Sequence, residues 1–232
     1  MLDTRLVGRD EQALRDDTDR IDLPGRQLLG AEQEGWLAEQ LVTSVRNKTS
    51  WSLLGQQVMF APQTAQGARA GNPDSGDGYR AARSRVCDMI ERAKLGNLAV
   101  LTGDVHSSWA YDLPRDPFAG YDKSSGRGSM GVEFAGTSVS SPSSVGSEGE
   151  QQLAGLRATR PHLHYVDGRY RGYFVLDLTP ERLQADFYAV ATVLDRATKE
   201  AFEKGFVSET GRNHLVEAST PAAPASAPDP AP

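Results

Sequence analysis

The chain has 232 residues, of which 38% are hydrophobic and 24% charged, and its formal net charge is −6. That length suffices to bury a sizeable core in one large domain or two small ones. The acidic excess and the absence of a basic stripe argue against a nucleic-acid surface; no run nears the roughly 18 apolar residues of a membrane span, and a lone Cys87 excludes an intrachain disulfide.

Residues 1–27 are charged and irregular, with Pro24-Gly25 as breakers, and predict a surface excursion. Leu2-Asp3-Thr4-Arg5-Leu6 reads as the end of a strand already in progress, which suggests a chain whose upstream part is missing. No signal-peptide pattern follows Met1. Asp16, Asp17, Asp19 and Asp22 offer oxygen ligands, but the glycine and closing glutamate of an EF-hand loop are absent, so a solvated face is expected.

Leu37, Leu41 and Val45 recur every four residues and predict a helix over about Ala31–Val45. Trp51–Phe60 reads as a strand ended by Pro62, and a polar loop follows over 61–77. A second helix over about Gly78–Leu95 carries Tyr79, Ala82, Val86, Met89, Ile90 and Ala93 on one face, with Gly96 as its C-terminal cap. Cys87 falls in that pattern as a buried structural thiol.

The next strand, Asn97–Leu101, leads into Gly103-Asp104-Val105-His106-Ser107-Ser108. Helix, strand, helix, strand is the logic of an α/β sheet, whose sites lie beyond the carboxyl ends of its strands. With an extended backbone, Asp104 and His106 would point to the same side. They could then reach one metal ion, or two ions roughly 4 Å apart of the kind used for displacement at phosphorus. Gly-Asp is equally a turn element whose carboxylate bonds nearby backbone N–H groups. Spacing alone leaves both readings open.

Residues 112–130 predict a long loop, Gly131–Val139 a strand, and 143–160 partial helix. Tyr170–Leu178 and Leu183–Val193 alternate as a hairpin around Thr179-Pro180-Glu181-Arg182. Thr198–Gly211 is charged and carries no clear pattern, and the Pro/Ala-rich end is too poor in apolar groups to pack. Serines are plentiful at 107–108 and 138–144, but no G-x-S-x-G elbow supports a serine hydrolase.

Seven pieces in order then resemble the C-terminal half of PhoD-type alkaline phosphatases, within the calcineurin-like metallophosphoesterases. They are LDTR with GRD (2–10), LLGAEQEGWL (28–37), WSLLGQQVM (51–59), LTGDVHSSW (101–109), VEFAGTSVSSP (132–142), PHLHYVD (161–167) and RGYFVLDLTPE (171–181). The resemblance implies an α/β fold, the C-terminal half of a four-layer αββα sandwich, with a β-hairpin near the C-terminus. Residues 1–215 would be a partial metallophosphatase domain and 216–232 a disordered tail. It further implies iron and calcium as cofactors, phosphate monoesters and diesters as substrates, and a metal-activated water as nucleophile. Asp104 would be a carboxylate ligand, to calcium, and His106 a nitrogen ligand, to iron.

The family's remaining ligands lie in its N-terminal half. These rows hold no G-D-x-x-[DY] followed by G-N-H-[DE], and Cys87 sits in the wrong context for an iron thiolate. His162 and His164, beside Pro161, are expected at the surface or beside a metal rather than on it. Two functional expectations result. One is metal-dependent hydrolysis of phosphate esters, with this chain supplying part of the site and the missing N-terminal half as its partner. The other is an inactive remnant acting only in binding or assembly. The family's full-length form is periplasmic or extracellular.

Overall fold

The computed structural model describes residues 1–68, 71–142 and 149–223. After a four-residue helix α1 (Thr18–Ile21), the chain forms α2 (Gly30–Arg46), β1 (Ser52–Gly55), α3 (Arg80–Ala93) and β2 (Leu98–Thr102). Strands β3 (Ser108–Pro114) and β4 (Ser129–Ala135) precede helix α4 (Gly149–Thr159) and β5 (Leu163–Asp167). The last four strands are β6 (Arg171–Leu178), β7 (Arg182–Val190), β8 (Glu200–Glu209) and β9 (Val216–Ala218).

The first five strands make one mixed sheet in the order β1-β2-β4-β3-β5. Within it β1, β2 and β4 run parallel, while β3 is antiparallel to both of its neighbours. The second sheet is an antiparallel meander, β6-β7-β8-β9. Period-two alternation joins the layers. On β2, Leu98 and Val100 enter the core beneath the helices, against Leu37, Leu41, Val86 and Ile90, whereas Ala99 faces the second sheet. Between the sheets, small Ala99 and Ala110 make room for Phe134, Phe187 and Phe206. Helices, first sheet and second sheet are thus three of the four layers expected.

Several boundaries differ from expectation. The strand expected over Trp51–Phe60 stops at Gly55, because Phe60 and Ala61 turn their N–H groups to the Glu133 carboxylate instead of a strand. Helix α3 ends on Lys94 in the left-handed conformation, φ 53°, rather than on Gly96; Leu95 N–H closes back on the Ile90 carbonyl at 3.1 Å. Val45 is exposed on α2, where the buried face carries Leu37, Leu41 and Glu34. Residues 2–6 are a turn, not a strand end: Asp3 accepts from the N–H groups of Arg5 and Leu6, both at 2.8 Å. Nor are residues 1–27 all surface, since Leu2, Thr4, Ala13, Ile21 and Arg26 are buried.

Asp17 accepts from Arg20 N–H at the start of α1, and Asp22 pairs with Arg80 at 3.0 Å, so these acids serve local structure. Asp112, expected in a loop, is buried in β3, and the patternless stretch after Thr198 contains β8. The expected boundary after residue 215 falls just before β9, and Ala222 N–H still reaches Asp186 at 2.7 Å. Residues 143–148 and 224–232, which include parts of the expected helical stretch and tail, lie outside the described residues. Among the described residues no helix is long and apolar enough to cross a membrane.

Candidate metal centre

The carboxyl ends of the three parallel strands lie side by side, and the segment leaving each one contributes to a single rim. Beyond β1, Gln57 accepts the Thr4 N–H and hydroxyl, both at 2.7 Å, which pins the turn carrying Arg5. Beyond β2 comes the loop bearing Asp104 and His106. Beyond β4, residues 136–142 are tied down by Gly136 N–H on the Thr102 carbonyl at 3.0 Å and by Ser138 Oγ on the Ser141 carbonyl at 2.8 Å. Arg171 Nε, from β6, donates to the same Ser141 carbonyl at 3.1 Å. This is the crevice where open α/β sheets place ligands.

The β2–β3 loop is not extended. Asp104 and His106 both occupy the left-handed region, at φ 70° and 51°, a conformation that carries a cost for residues other than glycine. The same-side argument from an extended backbone therefore fails, and the coiled loop sets where the two side chains go. Asp104 receives Arg5 Nη2 at 2.6 Å. The other arm of that guanidinium holds Asp74 at 2.7 Å, and Arg9 pairs with Asp74 as well. His106 Nδ1 lies 3.0 Å from the Pro142 carbonyl oxygen. A carbonyl only accepts, so Nδ1 carries a proton; in the neutral ring this leaves the lone pair on Nε2, one of the two tautomers in which imidazole binds metal. A carboxylate suits a hard cation and an imidazole nitrogen a transition metal.

The remaining histidines fall elsewhere. His162 is fully buried, not at the surface. Its Nε2 donates to the Pro62 carbonyl at 2.8 Å, and burial pushes its pKa down to about 4. Cys87 is buried in α3, where desolvation raises its thiol pKa, consistent with a packing role. Asp112, His164 and His214 come together, with one ligand atom from each within 4.8 Å of the others. They lie between the sheets, toward the far end of β3 from the Asp104 loop. Nothing local announces this group: the Asp112–His214 contact spans 102 residues of chain.

Comparison with known proteins agrees with this architecture. The family model for PhoD-like phosphatases matches residues 1–187. Alkaline phosphatase D of Bacillus subtilis (strain 168) is 34% identical over 226 residues, which is 95% of this chain and 37% of that protein. A solved structure of PhoD superposes with a TM-score of 0.81 at 33% identity, over 95% of this chain and 41% of that one. The chain thus spans well under half the length of the relatives it matches, yet it follows them almost throughout its own. The chain belongs to the PhoD-like phosphatase family.

Proposed function

We propose that the chain forms the C-terminal part of a metal-dependent phosphoric ester hydrolase, with Asp104 and His106 as two ligands of its metal centre. The observation that carries the reading is the His106–Pro142 hydrogen bond, which leaves the imidazole lone pair available on a rim shared by three strand ends. Asp104 would hold calcium and His106 iron, as the family resemblance suggests. Bound there, such cations would polarise a phosphoryl oxygen and offset the charge that develops on it.

The chain's own residues have separable tasks. Pro142 fixes the His106 ring and tautomer. Arg5 neutralises Asp104 and Asp74 while no cation does so. With Asp104 engaged by a cation, one Arg5 guanidinium edge would be available to an anionic phosphate ester. Among the described residues, the one group of three His, Cys, Asp or Glu with ligand atoms close together excludes Asp104 and His106. Two ligands make an incomplete centre, so the rest would come from the upstream part.

The test measures metal content and hydrolysis of chromogenic phosphate mono- and diesters, on this chain alone and joined to the upstream part of a PhoD-like relative. The joined protein is expected to turn over and the chain alone to be inactive. Asp104→Ala or His106→Ala is expected to cost at least about 100-fold, more than loss of an outer partner usually does. Unchanged metal content and rate in both variants would overturn the assignment. A joined protein that loads metal yet hydrolyses nothing would favour a binding or assembly role.

A further inference from the structure

We propose that Asp112, His164 and His214 form a second metal site, separate from Asp104 and His106, that takes a zinc-class ion and clips the two sheets together. The donors come from three places in the fold. Asp112 is on β3 and His164 on the neighbouring β5, both in the first sheet, while His214 belongs to the segment joining β8 to β9 in the second. Two imidazoles and one carboxylate suit zinc or cobalt rather than calcium or magnesium.

Both contacts with the carboxylate lie within about 1 Å of a loaded shape, and the three donors as a set lie within 4.8 Å of one another. Donors arranged tetrahedrally at the roughly 2.0–2.1 Å bond lengths of zinc sit about 3.3–3.5 Å apart. His164 Nε2 lies 3.3 Å from Asp112 Oδ1. Although it is buried, this nitrogen makes no hydrogen bond of acceptable geometry, which is costly for a polar atom in an interior. His214 Nδ1 is closer to the carboxylate, 2.6 Å from Oδ2. It needs to open by less than about 1 Å, with the ion replacing the proton it now shares.

The surroundings are built to hold the carboxylate ionised and aimed. Burial pushes the Asp112 carboxyl pKa up, but His164 and His214 outweigh this and bring it below the ordinary value. Leu215 N–H donates to Oδ1 at 2.9 Å and the Tyr121 hydroxyl to Oδ2 at 2.8 Å, so both oxygens are oriented from outside the donor set. Gly126 lies directly over His214: a side chain there would put its Cβ 2.3 Å from the histidine Cβ, and its φ is +70°. Both His side chains keep some exposure, 12% and 15%, so solvent reaches the edge of the group.

Cobalt(II) is the probe, since its visible d–d absorption reports coordination directly. The chelator-treated chain at pH 7.5 is expected to bind one equivalent with a band of four- or five-coordinate character, to release it to zinc, and to show a Tm that rises with metal concentration. His164→Ala and His214→Gln are expected each to abolish the band and weaken binding at least about 100-fold. Asp104→Ala and His106→Ala are expected to keep it. The wild-type titration stands even if a variant fails to fold: no saturable cobalt or zinc binding below about 1 mM, far weaker than structural zinc, overturns the proposal. So does a band that survives both histidine substitutions, or one that disappears with Asp104 or His106.

Discussion

Glu133→Gln probes a carboxylate buried beneath the helices. Glu133 lies on β4 with no exposed surface, and its oxygens accept the N–H groups of Phe60 at 2.8 Å and Ala61 at 2.6 Å, with the Thr102 hydroxyl at 3.2 Å. Burial raises its pKa from 4.5 to about 7, and these three donors oppose the rise without cancelling it. The folded state therefore binds a proton more tightly than the unfolded chain does. Its stabilising effect is complete below pH 4.5 and is lost as pH climbs to about 7. A shift of that size corresponds to about 3 kcal/mol.

The wild-type profile alone would hide this effect. His162 moves the other way: its folded pKa of about 4 lies below the ordinary 6.5, so its contribution is present above pH 6.5 and lost as pH falls toward 4. Between pH 4.5 and 6.5 the two slopes oppose each other, and only a difference against the variant isolates Glu133. The glutamine keeps the shape without titrating, but its amide N–H₂ must face one backbone donor, at a cost of about 1–3 kcal/mol. Urea unfolding from pH 5 to 8.5 is expected to show the variant less stable at pH 5, by about that amount, and equal to or more stable than wild type at pH 8. A stability difference that stays constant across this range would mean that Glu133 does not hold its proton more tightly in the folded state.

Other perturbations test the packing and the rim. Arg83→Ala removes a buried guanidinium that donates to the carbonyls of Phe60, Arg115 and Pro114, each at 2.9 Å; a loss of at least about 3 kcal/mol in urea unfolding is expected, and Arg83→Lys should recover little of it. Gly8→Ala is expected to lower Tm, because Gly8 has φ +71° and a Cβ there would lie 2.6 Å from Gly30 Cα. Cys87, fully buried with a raised thiol pKa, should react with a thiol reagent only as fast as the chain opens, and promptly in urea. In the joined enzyme, Arg5→Ala is expected to raise KM more than it lowers kcat; a fall in kcat with KM unchanged would place Arg5 in the transition state instead.

What could be read in the sequence, and what could not, divides along physical lines. Apolar periodicity carried α2, α3 and the β6–β7 hairpin, and a continuous apolar run carried β2, to within a few residues of their ends: the first three turn one face to the core, whereas β2 is buried on both. The pattern failed where a segment's partners are polar and distant. Strand β8 escaped notice because charges fill its exposed positions, while Gly205, Phe206 and Ser208 are buried. Strand β3 was not expected: its first residue falls in the polar loop after β2, and from Asp112 an acid followed closely by proline reads as the start of a loop. Its actual support is Leu215, His214 and Tyr121, which no local window contains.

Two of the buried acids of the first sheet, Glu133 and Asp112, show the same failure with different physical consequences. Glu133 faces the helices and is surrounded by donors that belong to the fold itself, two backbone N–H groups and one hydroxyl. Those donors orient it without neutralising it, and burial leaves its pKa near 7. Asp112 faces the second sheet and meets two imidazoles, groups able to carry a proton or yield it to a metal, and its pKa falls below the ordinary value. The contrast lies in the neighbours, since both carboxylates are buried. A buried acid whose partners are backbone groups reads as a fastener for a loop, whereas one whose partners are histidines has the donor set of a ligand site. By the same criterion, Asp104 belongs with neither: exposed and matched by Arg5, it carries a charge that a cation can claim without unfolding anything.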